Sequence, residues 1–175
     1  TNGVADEVRH VLATFKPELA VLPGEVLDDI AVGRELLADW TSLKTLFAVA
    51  PGPADLELLA GLPKLTHLVL MEWDPERTGP LPEGLDKLRS LTLHDAEGGD
   101  LDGLAALSGL TQLSVAGLEE NSSLSNITTL AELPMLQRVG LAWCEEVHDL
   151  EPLYGLKKLE RVSLPMNTTE EQLAE

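Results

Sequence analysis

A single cysteine, Cys144, leaves the chain without an internal disulfide, so stability has to come from packing. Aromatic residues are scarce, at 3% of 175 residues, which leaves aliphatic side chains to build the core. Cations are the third shortage: 12 Lys and Arg stand against 30 Asp and Glu, a formal charge of −18. A surface this poor in basic residues cannot neutralise phosphate, which excludes nucleic acid and anionic membrane as partners and leaves proteins, basic ligands and cations. No apolar run is long enough to span a bilayer, and no signal peptide opens the chain. No Gly-rich phosphate loop or zinc-type spacing of Cys and His is present, so nothing in the sequence asks for a cofactor or a metal. The first residue is Thr1 rather than Met, which reads as a processed chain or a module cut from a longer one.

What the chain does have is leucine at fixed intervals. Leu150, Leu153, Leu156 and Leu159 fall three apart and then give way to alternation at Val162 and Leu164; Leu101, Leu104, Leu107, Leu110, Leu113 and Val115 repeat the phrase. With the last leucine of each triplet series as anchor, the copies align at Leu43, Leu65, Leu88, Leu110, Leu136 and Leu159, at intervals of 22, 23, 22, 26 and 23 residues. That period is too short for paired helices and fits one short strand plus a return arc. The two apolar positions after each anchor are separated by one residue, the strand period, so both point inward and the residue between them faces out. The triplets suit a tight helical arc that keeps returning an apolar side chain to the axis. No turn of this kind buries its apolar face alone, so each must rest on its neighbours.

The phrases opening at Asp100 (DLDGLAALSGLTQLSVAG) and Asp149 (DLEPLYGLKKLERVSLPMN) resemble leucine-rich repeats, most closely the bacterial and Sds22-like class, LxxLxxLxxLxLxxN. Residues 78–93, TGPLPEGLDKLRSLTL, are similar instead to the LPxxLxxL form of plant-type and bacterial-effector repeats. The resemblance implies an α/β solenoid of about six turns with a concave parallel sheet and an N-terminal helical cap. Residues 1–36 would form that cap and a degenerate first turn, 37–167 the repeats, and 168–175 the start of a C-terminal capping helix. Val4, Val8, Val11, Leu12 and Phe15 recur at helical spacing in the first part, and Leu27, Ile30 and Val32 read as the degenerate first strand. The family places Asn at the end of each strand, bonded to neighbouring backbone. Here those positions read Trp73, Ala96, Leu118, Cys144 and Asn167, which predicts irregular stacking at Trp73 and Leu118 and a buried Asn167. The sequons at Asn121, Asn126 and Asn167 are accordingly read as chance, and the lack of paired cysteines points to a reducing, cytoplasmic setting.

Candidate function sits on the outward strand positions, which read as columns across adjacent turns: Thr45, His67, Ser90, Gln112, Arg138, Arg161; then Phe47, Val69, Thr92, Ser114, Gly140, Ser163; then Val49, Met71, His94, Ala116, Ala142, Pro165. None is acidic. One reading is a face that binds a protein segment, with Arg138 and Arg161 taking carboxylates, Trp143, Met166 and Phe47 as apolar anchors, and Gln112 and His67 as polar contacts. The other is default small polar filler. Glu72 and Asp95, at the ends of adjacent strands with His94 beside them, are paired carboxylates without the further oxygens of a calcium loop and read as an acidic rim. Cys144, His148 and Asp149 offer a nucleophile, base and orienter only superficially, because Cys144 falls where packing needs a small buried side chain. The resulting expectation is a monomeric, non-catalytic protein-recognition module. Its triplet-rich copies look like the ligand-sensing repeats of bacterial NLR-like signalling NTPases; the substrate-recognition domain of an effector ubiquitin ligase and a free-standing adaptor are the alternatives.

Overall fold

The computed structural model describes residues 18–23, 40–49, 53–75, 79–95, 99–116 and 123–173. Seven strands form one sheet in sequential order, every neighbouring pair parallel: β1 (Leu19–Pro23), β2 (Thr45–Val49), β3 (His67–Met71), β4 (Ser90–His94), β5 (Gln112–Ala116), β6 (Arg138–Gly140) and β7 (Arg161–Ser163). Among the described residues, two short helices, α1 (Pro53–Leu59) and α2 (Glu151–Tyr154), and two 3-10 turns, Asp102–Leu104 and Thr128–Glu132, lie on the return arcs.

The leucine triplets close these arcs by one repeated hydrogen bond. Leu107 N donates to Leu104 O, Leu110 N to Leu107 O, Leu133 N to Leu130 O, Leu136 N to Leu133 O, and the series Leu153, Leu156 and Leu159 follows suit, all at 2.8–3.2 Å. An i to i−3 bond advances three residues per turn, so each successive leucine returns to the same side, buried in every case but Leu159, which is partly buried. The arcs also start alike. Asp100, Asn126 and Asp149 each accept, through Oδ1, the backbone N–H two residues on, at 3.1, 3.0 and 2.9 Å. This Asx turn explains why acidic residues open the arcs, and it gives Asn126 a structural task. Thr129, buried among apolar neighbours, donates to Asp102 Oδ1 at 2.7 Å on the previous turn, so its hydroxyl is satisfied.

Strand pairing begins one residue before each strand. Lys44, Thr66, Arg89, Thr111 and Gln137 each offer one carbonyl to two successive N–H groups of the next turn, and Glu18 does the same for Lys44 and Thr45. Inward strand positions form a continuous stack: Leu46, Leu68, Leu91, Leu113 and Val139 lie in register, as do Ala48, Leu70, Leu93 and Val115, all at most 3% exposed. In the last turn Leu159, Val162 and Leu164 are only partly buried against this core.

Several expectations are corrected. The strand that pairs with β2 is Leu19–Pro23 rather than Leu27 to Val32, which lie outside the described residues, so the sheet has one strand more than there are leucine anchors. Two residues before each of β2 to β7 stands a leucine; before β1 stands Pro17, and the anchor signal is lost. The helical spacing of Val4 to Phe15 also falls outside the described residues. Asn167 is exposed rather than buried, yet its Nδ2 donates to Glu145 O at 2.7 Å on the previous turn, so the inter-turn bond is made from the surface. At residues 168–173 a turn stands where a helix was expected to start: Thr169 N donates to Gln172 Oε1 at 2.7 Å, half of a capping box.

Arg89 locks two turns together, its Nη1 donating to Asp86 O, Leu88 O and Gly109 O at 2.7, 2.9 and 3.2 Å. Gly109 makes room for it: a Cβ there would stand 2.5 Å from Arg89 Nη1 and 2.9 Å from Asp86 O. Gly109→Ala is therefore expected to expel the guanidinium and strain the arc, costing about 1–3 kcal/mol, measured as a lower urea midpoint with unchanged slope.

Candidate functional site

The register stacks the outward residues in columns. The first runs Leu19, Thr45, His67, Ser90, Gln112, Arg138, Arg161, and the second Val21, Phe47, Val69, Thr92, Ser114, Gly140, Ser163. Both match the sequence reading, with Leu19 and Val21 added. The third, Val49, Met71, His94, Ala116, stops there. β6 and β7 are only three residues long; Ala142 already lies in a turn, and Pro165 is buried rather than outward. No outward position in the seven strands is Asp or Glu.

Gln112, Arg138 and Arg161 border a shallow hollow of about 200 Å³ lined also by Ser114, Gly140 and Ser163. Gly140 keeps it open, since a Cβ there would come within 3.2 Å of Ser114 Oγ. Arg138 and Arg161 are direct register partners, which puts their backbones about 4.8 Å apart. Both are exposed, and among the described residues neither guanidinium meets an acid. Other cations serve structure. Arg89 holds three carbonyls, Lys87 donates to Pro63 O at 2.8 Å, and Lys44 pairs with Glu18 at 2.9 Å. Two guanidinium groups side by side over small polar residues offer parallel forks of donors to a carboxylate or other oxyanion.

Trp143 and Met166, 42% and 61% exposed, each follow an arginine of this pair by five residues, so they lie past the ends of β6 and β7 on the same two turns. Met166 N donates to Ala142 O at 3.2 Å, which ties the turns together there. Phe47 and His67 are not brought to the hollow. They stand on β2 and β3, three to five strands from the two arginines, about 14–24 Å, although His67 is the register partner of Ser90, which lines the hollow. His67 Nδ1 lies 2.9 Å from Thr66 Oγ1. Leu19 and Val21, 58% and 61% exposed, were missed by the sequence reading because their strand was misplaced; the apolar run from Leu19 to Leu22 was the available signal, and it is weak without a leucine anchor.

Glu72 and Asp95 take left-handed backbone, φ 55° and 49°, and their N–H groups continue the ladder to His94 O and Ala116 O at 2.8 and 2.9 Å. Among the described residues no group of three His, Cys, Asp or Glu side chains is placed to hold a metal. Cys144 is 0% exposed, so its thiol is closed to any substrate. No helix among the described residues is long and apolar enough to cross a membrane.

No protein-family model and no curated protein matches the chain. Among solved structures, it is similar to internalin C2 from Listeria monocytogenes, with 27% identity and a TM-score of 0.50 over 74% of this chain and 54% of that one. Internalin F from the same organism overlaps at 18% identity and a TM-score of 0.36, covering 74% of this chain and 50% of that one, and adds nothing to the assignment. The chain thus spans about half the length of the solved structures it matches. Taken with the seven parallel strands and the leucine triplets between them, the likeness to internalin C2 makes the fold a leucine-rich repeat solenoid.

Proposed function

We propose that the chain is a non-catalytic protein-recognition module, and that its open sheet face binds a protein segment through Arg138 and Arg161. The observation that carries this is the arginine pair itself. In a chain of formal charge −18, two outward guanidinium groups stand on adjacent strands, beside a hollow, with no acid against them among the described residues. A carboxylate entering between them makes charge-assisted bonds with both, while Trp143 and Met166 supply apolar contact at the rim. The likeness to a leucine-rich repeat protein supports the same reading, since stacked turns present an extended face of this kind. The buried thiol and the absence of any second cysteine favour a reducing, cytoplasmic setting. The triplet-rich turns are compatible with a ligand-sensing domain within a larger NLR-like signalling protein, and the reading frame of the parent tests that: a phosphate-binding loop upstream supports it.

The direct test is a tagged pull-down from the host's lysate beside the Arg138→Glu/Arg161→Glu variant, read by mass spectrometry. A protein retained by the original and lost by the variant is expected, with a thermal transition unchanged because both side chains are exposed. Equal capture by both would move the site away from the arginines.

A further inference from the structure

The open face changes character along the solenoid. Its central column begins with Val21, Phe47 and Val69 on β1 to β3, then turns to Thr92, Ser114, Gly140 and Ser163 on β4 to β7. The flanking columns are mixed on the first half, where Leu19, Val49 and Met71 are apolar and Thr45 and His67 polar, and carry Arg138 and Arg161 on the second. Leu19 and Val21 are more than half exposed, although an aliphatic side chain on a strand is stabilised by leaving water, by about 25 cal/mol for each Å² covered. An apolar field and a cationic hollow, whose guanidinium groups meet no acid among the described residues, therefore share one continuous sheet, and no acid on an outward strand position separates them.

We infer that the first half of this face, around Val21, Phe47 and Val69, is a second docking site, and that the partner is an amphipathic protein segment lying across the strands with apolar side chains on β1 to β3 and a carboxylate group between Arg138 and Arg161. This rests on the recognition role proposed above and adds an orientation and a length to it. Strand spacing sets the length: Val69 and Arg138 are three strands apart, about 14 Å, and Val21 and Arg138 five strands, about 24 Å. An extended segment covers that with about four to seven residues between its apolar and acidic parts. Charge selects the occupant. Two copies of this chain repel at −18 each, and an anionic bilayer repels it likewise, whereas a partner of low net charge with a local acidic group meets the arginines at close range. Binding both halves makes the second contact intramolecular, so the joined ligand exceeds either part alone.

The test uses labelled peptides as a ruler, Leu-Phe and Glu-Glu held apart by polyproline of about two, five or eight residues at ~3.1 Å each, in both chain directions. Fluorescence anisotropy against the intact protein is expected to be tightest at the middle length in one direction, by about tenfold over the shortest. Leu19→Ser/Val21→Ser and Arg138→Glu/Arg161→Glu should each abolish that optimum while circular dichroism stays unchanged. Binding that depends on the arginines alone and not on spacer length would overturn the two-part face and leave the recognition role standing. Binding indifferent to both pairs, or none up to millimolar peptide, would overturn both readings. Self-association in sedimentation, lost in Leu19→Ser/Val21→Ser, would assign the apolar half to a second copy and overturn the inference.

Discussion

Leu113→Asp is expected to abolish the cooperative unfolding transition of the central turns. Leu113 is 2% exposed and sits in register between Leu91 and Val139, themselves 0% and 3% exposed. The substitution removes a buried aliphatic side chain, worth about 2–5 kcal/mol, and leaves a carboxylate with no counter-charge, worth roughly 3–5 kcal/mol more. Together these approach the whole stability of an ordinary domain, about 5–15 kcal/mol. In a stack where each turn contacts only its neighbours, a failed middle turn also severs the two ends. Gln112→Asp and Ser114→Asp are the controls, one residue to either side and both outward; they should keep the native spectrum and lose less than about 1 kcal/mol. Thermal scans by circular dichroism read all three. A native-like Leu113→Asp would mean the inward and outward sets are exchanged.

That alternation was legible in the sequence because two physical signals coincide at each anchor. Leucines three apart close i to i−3 bonds, and the switch to spacing two marks the strand, so the columns from Thr45 to Arg161 and from Phe47 to Ser163 could be read from residue types alone. Where one signal fails, the reading fails. Pro17 in place of the anchor hid β1, and with it Leu19 and Val21, the residues that complete the apolar half of the face. Ala142 and Pro165 were misplaced for a different reason: strand length is set by how neighbouring arcs pack, which periodicity does not report. Asn167 shows a third limit, because its hydrogen bond to Glu145 O matched the family pattern while its burial did not. The hollow around Gly140 was invisible as a cavity, although its arginines were singled out for being outward.

Trp73 carries the second large expected effect. It stands where the repeat pattern calls for Asn, and in place of a polar bond it fills the arc with an indole that is 1% exposed. The next turn is shaped to receive it: a Cβ on Gly103 would come within 3.2 Å of Trp73 Cζ2 and of Pro80 Cα, so glycine is the residue that lets the ring lie close. Trp73→Ala should therefore cost about 3–5 kcal/mol and lower the melting temperature by on the order of 10 °C. The indole Nε1 has no hydrogen-bond partner among the described residues, so Trp73→Phe loses volume but also removes a buried donor that is itself unfavourable, and it should cost clearly less than the alanine. Gly103→Ala, an overpacking change, should cost about 1–3 kcal/mol in the original chain and less beside Trp73→Phe, with Pro80 keeping the relief incomplete. Strict additivity of the two would show that the ring and Gly103 do not press on one another. Coupling between them would establish that apolar packing across the arcs, from Trp73 on one turn to Gly103 on the next, does here what an asparagine ladder does in regular repeats.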